Sequence, residues 1–162
     1  MNRSAIVEIH KDEFSFSAGH FTIFSATERE DLHGHNYNVS VALETLLADN
    51  GLSFDYRVYK TTILEICNKL DRHFLLPQYS KFLKLEDTGD MWLAHFNNER
   101  IPFLKRDVVI LPVTNVTIEE LSHWFLEQLL THREQINKHA IQKITIKVYN
   151  GPGQSSAAHW QK

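Results

Sequence analysis

Three histidines in this chain have the residue type and spacing to bind a metal ion. His33 and His35 are separated by one residue in the segment LHGHNYNVSV, and His20 ends the upstream segment FSAGH. Side chains two residues apart on a β-strand point to the same side, so His33 and His35 converge if their segment is extended. Such a pair by itself is compatible with packing or solvent exposure as well as with a metal site. His20 adds a third imidazole at the end of the preceding segment.

Three neutral imidazoles with a fourth position left open are typical of a catalytic zinc ion. A structural zinc ion normally has four protein ligands, and we find no convincing fourth ligand of that type in the sequence. The loop between the two segments is rich in acidic residues, with Glu28, Glu30 and Asp31. These residues therefore favour a catalytic Zn²⁺ centre at the three histidines, with packing or solvent exposure of the histidines as the alternative.

Two extended segments must position these histidines. In residues 5–20 the apolar side chains alternate up to His20, which shares a face with Phe14, Phe16 and Ala18. We expect this segment to pair antiparallel with the one that begins at His33, and Gly34 removes bulk from the opposite face of the second segment. The odd positions of the second segment share the face of His33: His35, Tyr37, Val39, Val41 and Leu43.

Two helices are predicted after the strand pair. The first has Asp55 as its N-cap and runs to about Leu70, with Cys67 in its buried face. The second starts at Thr117, which has the capping-box spacing to Glu120. The expected inward-facing residues of the two helices are Val58, Thr62, Ile63, Ile66, Cys67 and Leu70, followed by Ile118, Leu121, Trp124, Phe125 and Leu129.

The remaining patterns complete a single α+β domain over residues 1–162. The segments QKITIKVYN and AAHW predict two more strands. Residues 78–106 break into short aromatic runs, which are typical of a small meander or an elaborated loop. The order strand, strand, helix, helix, strand, strand predicts a four-stranded antiparallel sheet with two helices on one face.

The composition limits the partners and the compartment. The formal net charge is −3, so the chain has no general attraction to nucleic acid or to an anionic membrane. Cys67 is the only cysteine, which excludes an intrachain disulfide and favours a reducing compartment. The N-terminal segment lacks the apolar core of a signal peptide, and no apolar run is long enough for a transmembrane helix. We expect a soluble, cytoplasmic protein.

Several motifs resemble one enzyme family. The combination of FSAGH with LHGHNYNVSV, followed by DNGLSFDY, LDRHFLLP, TIEELSHW and KVYNGPGQ, resembles the 6-pyruvoyltetrahydropterin synthase and 6-carboxytetrahydropterin synthase family. The resemblance covers nearly the whole chain apart from residues 78–106. It implies a tunnelling fold, whose subunits join their sheets into a barrel as a trimer or a hexamer, with active sites at the subunit interfaces.

The resemblance also implies a reaction. It implies zinc on His20, His33 and His35, and a lyase that acts on 7,8-dihydroneopterin triphosphate in pterin, queuosine or folate-type biosynthesis. Zinc that coordinates the substrate's side-chain hydroxyls makes them more acidic, so that a nearby base can move protons or trigger loss of triphosphate or cleavage of a carbon–carbon bond. A relative that holds zinc and a pterin-like ligand without turnover is the alternative.

The residue expected as the base departs from the family's usual pattern. Most members have a cysteine shortly before the first histidine of HGH, whereas this chain has Glu30, three residues before His33. Some members with a similar RExLHGHNY motif are associated with cleaving the side chain to give 6-hydroxymethyl-dihydropterin. A carboxylate near zinc can act as a base or as a fourth ligand, and the alternative is that Glu30 only belongs to a solvated acidic loop.

A second departure lies in LDRHFLLP. The family's usual LDH motif places an aspartate and a histidine as a proton relay; Asp71 matches the aspartate, Arg72 stands at the histidine position, and His73 follows one position late. Asp71 and His73 are nevertheless the candidate relay residues, and the forked guanidinium of Arg72 suits a substrate phosphate. The alternative is that Asp71 and Arg72 only end a helix.

A third departure concerns pterin recognition. Family members usually have a glutamate at the end of the third strand that accepts two hydrogen bonds from the pterin, and this chain has Asn150 there. An amide has one acceptor group where a carboxylate has two, so Asn150 matches the pterin donors less well, at a cost of about 1 to 3 kcal/mol. Either Glu119 or the backbone near Thr117 completes the recognition, or the ligand is not an ordinary pterin.

Overall fold

The computed structural model describes residues 3–162, which form an α+β fold with two sheets. The helices are α1 (Arg57–Leu70), α2 (Ile118–Leu130) and α3 (Arg133–Lys138), and Lys105–Asp107 form a short 3-10 turn. The strands are β1 (Ser4–His20), β2 (His33–Leu46), β3 (His73–Pro77), β4 (Leu83–Asp87), β5 (Met91–Phe96), β6 (Glu99–Leu104), β7 (Val108–Leu111), β8 (Ile141–Gly151) and β9 (Gln154–Gln161). None of these helices is long and apolar enough to cross a membrane.

The main sheet has six strands in the order β7-β3-β1-β2-β8-β9. The predicted antiparallel strands are present as β1, β2, β8 and β9, and the α+β class is confirmed. The prediction of only four strands is wrong, because β3 pairs parallel with β1 and β7 pairs parallel with β3. Both added strands, HFLLP and VVIL, are short apolar runs without the two-residue alternation of a half-buried strand.

The strand pair β1 and β2 places its apolar face as the alternation predicts. Phe14 and Phe16 are at most 2% exposed, Tyr37 is 1% exposed, and the ring of Phe16 stacks on that of Tyr37 with centroids 4.8 Å apart. Burying each such side chain stabilises the fold by about 1.5 to 3 kcal/mol. This aromatic layer lies under the end of the sheet at which His20 stands opposite His33.

The helices cover the apolar face of the main sheet with small differences from the prediction. Helix α1 starts at Arg57 after Tyr56, so Asp55 is not its N-cap, although the Asp55 carboxylate accepts a 3.0 Å hydrogen bond from the Arg57 backbone N–H. In α2 the predicted cap is confirmed, because the Thr117 hydroxyl accepts from the Glu120 backbone N–H. Helix α3 is not predicted by the sequence patterns. The fully buried helical residues are Tyr59, Ile63, Ile66, Cys67 and Leu70 in α1, and Leu121, Ser122, Phe125, Leu126 and Leu129 in α2.

The inward face of each helix is therefore rotated slightly from the expected one. Val58 and Thr62 are only partly buried, and Tyr59 takes the buried position because its hydroxyl pairs with the His139 ring nitrogen at 3.0 Å. In α2, Ile118 and Trp124 likewise stay partly exposed. A buried polar group such as the Tyr59 hydroxyl needs a hydrogen-bond partner. The spacing of apolar residues in the sequence does not predict that partner, so it did not predict the burial of Tyr59.

Strands β4, β5 and β6 form a separate three-stranded antiparallel sheet, which we call the accessory sheet. It corresponds to the meander predicted in residues 78–106. One face packs Leu83, Ala94 and Phe96 against Phe21 and Ile23, which lie just after β1, and Leu76 of β3 completes this second core. The accessory sheet therefore lies directly against the loop that connects β1 to β2.

Candidate metal centre and active site

The structure brings the three predicted histidines together at one end of the β1–β2 pair. The Nε2 atoms of His20 and His33 lie 3.1 Å apart, and those of His33 and His35 lie 3.0 Å apart. Tetrahedral zinc bonds of about 2.0 to 2.1 Å place neighbouring ligand atoms roughly 3.3 Å apart. The observed separations are close to that value, so the three imidazoles fit a single metal ion.

Two backbone carbonyls fix the tautomers of this cluster. The Nδ1 atom of His20 lies 2.7 Å from the Val116 carbonyl oxygen, and Nδ1 of His33 lies 2.8 Å from that of Asp31. A carbonyl only accepts, so each Nδ1 carries the proton and each Nε2 presents a lone pair. Two lone pairs that face each other at 3.1 Å repel unless a cation or a proton lies between them. This arrangement of partners behind the ligands is typical of metal sites.

The local electrostatics favour the neutral form of His20 and His35. Burial lowers the pKa of His20, and its histidine neighbours lower it further, although the hydrogen bond to Val116 opposes the shift. Burial and the charge on His33 also lower the pKa of His35. A metal ion requires unprotonated imidazole, so lower pKa values favour metal binding near neutral pH.

Glu30 lies beside the histidines, in the loop between β1 and β2. Its Oε2 atom is 3.9 Å from His33 Nε2 and accepts a 2.8 Å hydrogen bond from the Thr22 backbone N–H. Burial acts to raise the pKa of Glu30, but the hydrogen bonds from Thr22 and the nearby histidines outweigh it and lower the pKa. The carboxylate is therefore ionised at neutral pH and close enough to meet a molecule bound at the histidines.

The histidines and Glu30 line a cleft of about 650 Å³. Three of the predicted substrate-binding residues lie in the same cleft: Thr117 and Glu119 at the start of α2, and Asn150 in β8. The cleft is further lined by residues that the sequence reasoning did not select: Thr22, Tyr37, Ile118, Gly153, Gln154 and Ser155.

Tyr37 could have been selected from the sequence. It follows His35 by two positions, so the same alternation that aligns the histidines also aligns Tyr37 with them. Its ring centroid lies 5.5 Å from that of His35, and burial raises the pKa of the phenol, which keeps it protonated. The β8–β9 turn residues had no such signal, because only the fold brings that turn to the histidines.

The predicted relay residues lie elsewhere in the chain. Asp71 accepts a 2.8 Å hydrogen bond from the Ser17 backbone N–H, and Arg72, with a φ of 60°, donates its own N–H to the Ser17 carbonyl. Arg72 and His73 line a second cleft, which is also lined by His35 and Asn36. Within one chain these residues are not brought to the histidine cleft, and their catalytic roles stay predictions.

The only cysteine does not lie in either cleft. Cys67 is fully buried in the core between the main sheet and its helices, and burial raises the pKa of its thiol to about 12. A thiol that is neither exposed nor ionised cannot serve as the base of a surface cleft. Glu30 is therefore the candidate base in this cleft, since its carboxylate lies 3.9 Å from His33 Nε2.

Comparison with known proteins shows which family this chain resembles in sequence. The sequence model of the 6-pyruvoyl tetrahydropterin synthase family matches residues 8–159. A Methanocaldococcus jannaschii protein, whose naming as a 6-carboxy-5,6,7,8-tetrahydropterin synthase is provisional, is 26% identical over 142 residues, which are 87% of this chain and 86% of that protein.

Solved structures show the same fold at higher identity. The Plasmodium falciparum 6-pyruvoyl tetrahydropterin synthase superposes with a TM-score of 0.93 at 34% identity, covering 99% of this chain and 100% of that one. A variant of the Plasmodium vivax enzyme described as a catalytic-residue mutant, in which alanine replaces a glutamate, gives a TM-score of 0.93 at 29% identity and covers 99% of both chains.

Proposed function

The chain belongs to the 6-pyruvoyl tetrahydropterin synthase family, and we propose that it is a zinc-dependent lyase acting on 7,8-dihydroneopterin triphosphate. The observation that carries the proposal is the cluster of three imidazoles, in which His33 Nε2 lies 3.1 Å from that of His20 and 3.0 Å from that of His35, with the Glu30 carboxylate 3.9 Å from His33. Three neutral imidazoles with an open fourth position are the donor set of a catalytic zinc ion. When bound there, zinc would make a coordinated hydroxyl of the substrate more acidic.

Glu30 is the base in this proposal. It removes the proton from the 2′-hydroxyl of the substrate side chain; the C1′–C2′ bond then breaks, C2′ becomes an aldehyde carbon, and the electron pair passes into the C=N bond of the dihydropterin ring. Return of a proton to C1′ gives 6-hydroxymethyl-dihydropterin. Support comes from the ionised state of Glu30, from the burial of Cys67, and from the P. vivax variant in which a catalytic glutamate is replaced.

In this proposal, the pterin ring is bound by cleft residues other than the histidines and Glu30. Asn150 offers one acceptor group, so we propose that the exposed Glu119 carboxylate supplies the pair of acceptors for the amino and ring N–H groups. Thr117 lies beside it at the start of α2. Replacement of Glu119 by glutamine would then raise KM more than it lowers kcat, because it removes binding rather than proton transfer.

The triphosphate requires positive charge that this cleft lacks. No lysine or arginine is among the residues 3–162 that line it. We propose that a neighbouring copy supplies the charge, with its Arg72, which is 88% exposed here, and brings Asp71 and His73 to the cleft. Within residues 3–162, the outer edge of β9 and the part of β1 before Ala18, which pairs with β3 only at Ala18 and Gly19, are sheet edges that suit such an assembly. We propose a trimer or a hexamer with joined sheets, as the family resemblance implies.

The experiment combines purified protein with 7,8-dihydroneopterin triphosphate and identifies the pterin products by mass. We expect 6-hydroxymethyl-dihydropterin, lost on chelation and restored by zinc, and a fall in kcat of about 100-fold or more in Glu30→Gln. Glu28→Gln is the matched control, because Glu28 is exposed in the same loop. Absence of any chelator-sensitive product would contradict the lyase, and a pyruvoyl or carboxy product would contradict the cleavage described above.

A further inference from the structure

Arg29, the residue before Glu30, is held between the main fold and the accessory sheet. Its Nε and Nη2 atoms lie 2.8 and 2.6 Å from the same Glu99 carboxylate oxygen, at the start of β6. Its guanidinium carbon lies 5.3 Å from the Phe21 ring centroid and 5.9 Å from that of Phe96. The Arg29 side chain is only 15% exposed, so the ion pair and the ring contacts are shielded from solvent more than those of a surface pair.

The remaining donor of this guanidinium reaches Glu30. Nη1 of Arg29 donates a 2.7 Å hydrogen bond to the Glu30 carbonyl oxygen. The Glu30 backbone N–H donates to the Thr22 carbonyl at 2.9 Å, and the Glu30 carboxylate accepts from the Thr22 N–H. Three hydrogen bonds therefore fix the residue, and Arg29 makes the one that connects it to the accessory sheet.

We propose that Arg29 is a positioning residue for Glu30, and that the accessory sheet contributes to the reaction by holding Arg29 through Glu99. The proposal rests on the proposed function only for the role of Glu30 as the base. A planar guanidinium can bond a carboxylate and a carbonyl at once, and a lysine has no such fork. A displacement of a catalytic group by about 1 Å can lower a rate by roughly 100-fold. The hydrogen bond from Arg29 that holds Glu30 in place is therefore expected to affect turnover.

The first test reads the position of the loop without using activity. Amide hydrogen exchange is measured in wild type, Arg29→Met and Glu99→Gln, with Arg57→Met as the matched control. Arg57 also pairs with a carboxylate, that of Asp55, but on an exposed surface away from the cleft. We expect faster exchange across residues 22–30 in Arg29→Met and in Glu99→Gln, and no change there in the control. Unchanged exchange of residues 22–30 in both loop variants would overturn the proposal.

The second test separates positioning from a general structural role. In the active enzyme, Arg29→Met is expected to lower kcat by about 10- to 100-fold with little change in KM, and to have less than about a twofold effect in a Glu30→Gln background. An equal loss in both backgrounds would overturn the positioning role. Glu99→Gln keeps the test usable if Arg29→Met does not fold, since the Glu99 side chain is 53% exposed. If wild type has no turnover, the proposed function fails and hydrogen exchange alone decides whether Arg29 holds the loop.

Discussion

At the scale of single residues, the hydrogen bonds behind the histidines determine what the cluster can do. Val116 and Asp31 each accept Nδ1–H from one ring, so the lone pairs of His20 and His33 face each other at 3.1 Å. Protonation would relieve the repulsion, but burial lowers the pKa of His20 and so disfavours it. A bound cation relieves the repulsion without that cost, so the arrangement favours metal binding.

The lowered pKa values predict how the stability of the metal-free protein depends on pH. His20 and His35 have pKa values below their ordinary 6.5 in the folded state, so the unfolded chain binds more protons as the pH falls through that value. Stability therefore rises with pH where the unfolded state holds more protons, and decreases as the pH drops from about 7 toward 5. Thermal unfolding in the presence of a chelator measures this slope. His20→Gln is expected to make the stability depend less steeply on pH. An unaltered dependence would contradict the lowered pKa of His20.

The residues differ in how far the sequence alone predicts their place. The histidines and Tyr37 follow from the two-residue period of one strand pair, which is a local property. Thr22, Gly153 and Ser155 join the cleft only because segments far apart in the sequence meet in the folded chain. The positions of Asp71 and His73 likewise depend on β3, a strand that the sequence patterns did not predict.

At the scale of elements, the cluster depends on the close approach of β1 and β2. Ala18, Gly19 and His20 stand opposite His35, Gly34 and His33 in the antiparallel register. A Cβ atom on Gly34 would come within 2.9 Å of the Ala18 carbonyl oxygen, which is backbone and cannot move without shifting the strand. The glycine between the histidines therefore sets the distance between the two strands that carry the candidate metal ligands.

This contact predicts the effect of Gly34→Ala. Overpacking of this kind costs about 1 to 3 kcal/mol of stability, and here it also separates His20 from its two partners. We expect zinc affinity to fall by at least about tenfold, as measured by competition with a chromogenic chelator. Ser40→Ala is the control in the same strand, on the same face as Gly34 but remote from the histidines along β2. Equal zinc affinity in Gly34→Ala and wild type would show that the strand spacing does not matter.

The elements also show why the prediction of the sheet was incomplete. β1, β2 and β8 alternate apolar and polar residues because one face is buried under helices, and such strands are recognisable. β3 and β7 are brief continuous apolar runs, which resemble a buried helix segment or a loop in sequence. Their pairing is parallel and non-local, so no turn signal marks it.

At the scale of the whole molecule, two sheets meet at the loop that carries Glu30. The main sheet supplies the histidines, and the accessory sheet packs Phe96 and Glu99 against the other side of the loop through Arg29. The accessory sheet thus contacts Arg29, the residue next to the candidate base Glu30. The unpaired edges of β1 and β9, together with a cleft that lacks lysine and arginine within residues 3–162, support the proposal that a neighbouring copy completes the cleft.

The central claim is that His20, His33 and His35 hold one zinc ion, and metal analysis of the purified protein tests it most directly. The account predicts close to one zinc ion per chain in wild type, and in His123→Ala, a matched control because His123 lies exposed on α2. It predicts loss of most of that zinc in His35→Ala, because two imidazoles hold the ion far less tightly than three. Equal zinc content in His35→Ala and wild type, or wild-type protein that takes up no zinc, would contradict it.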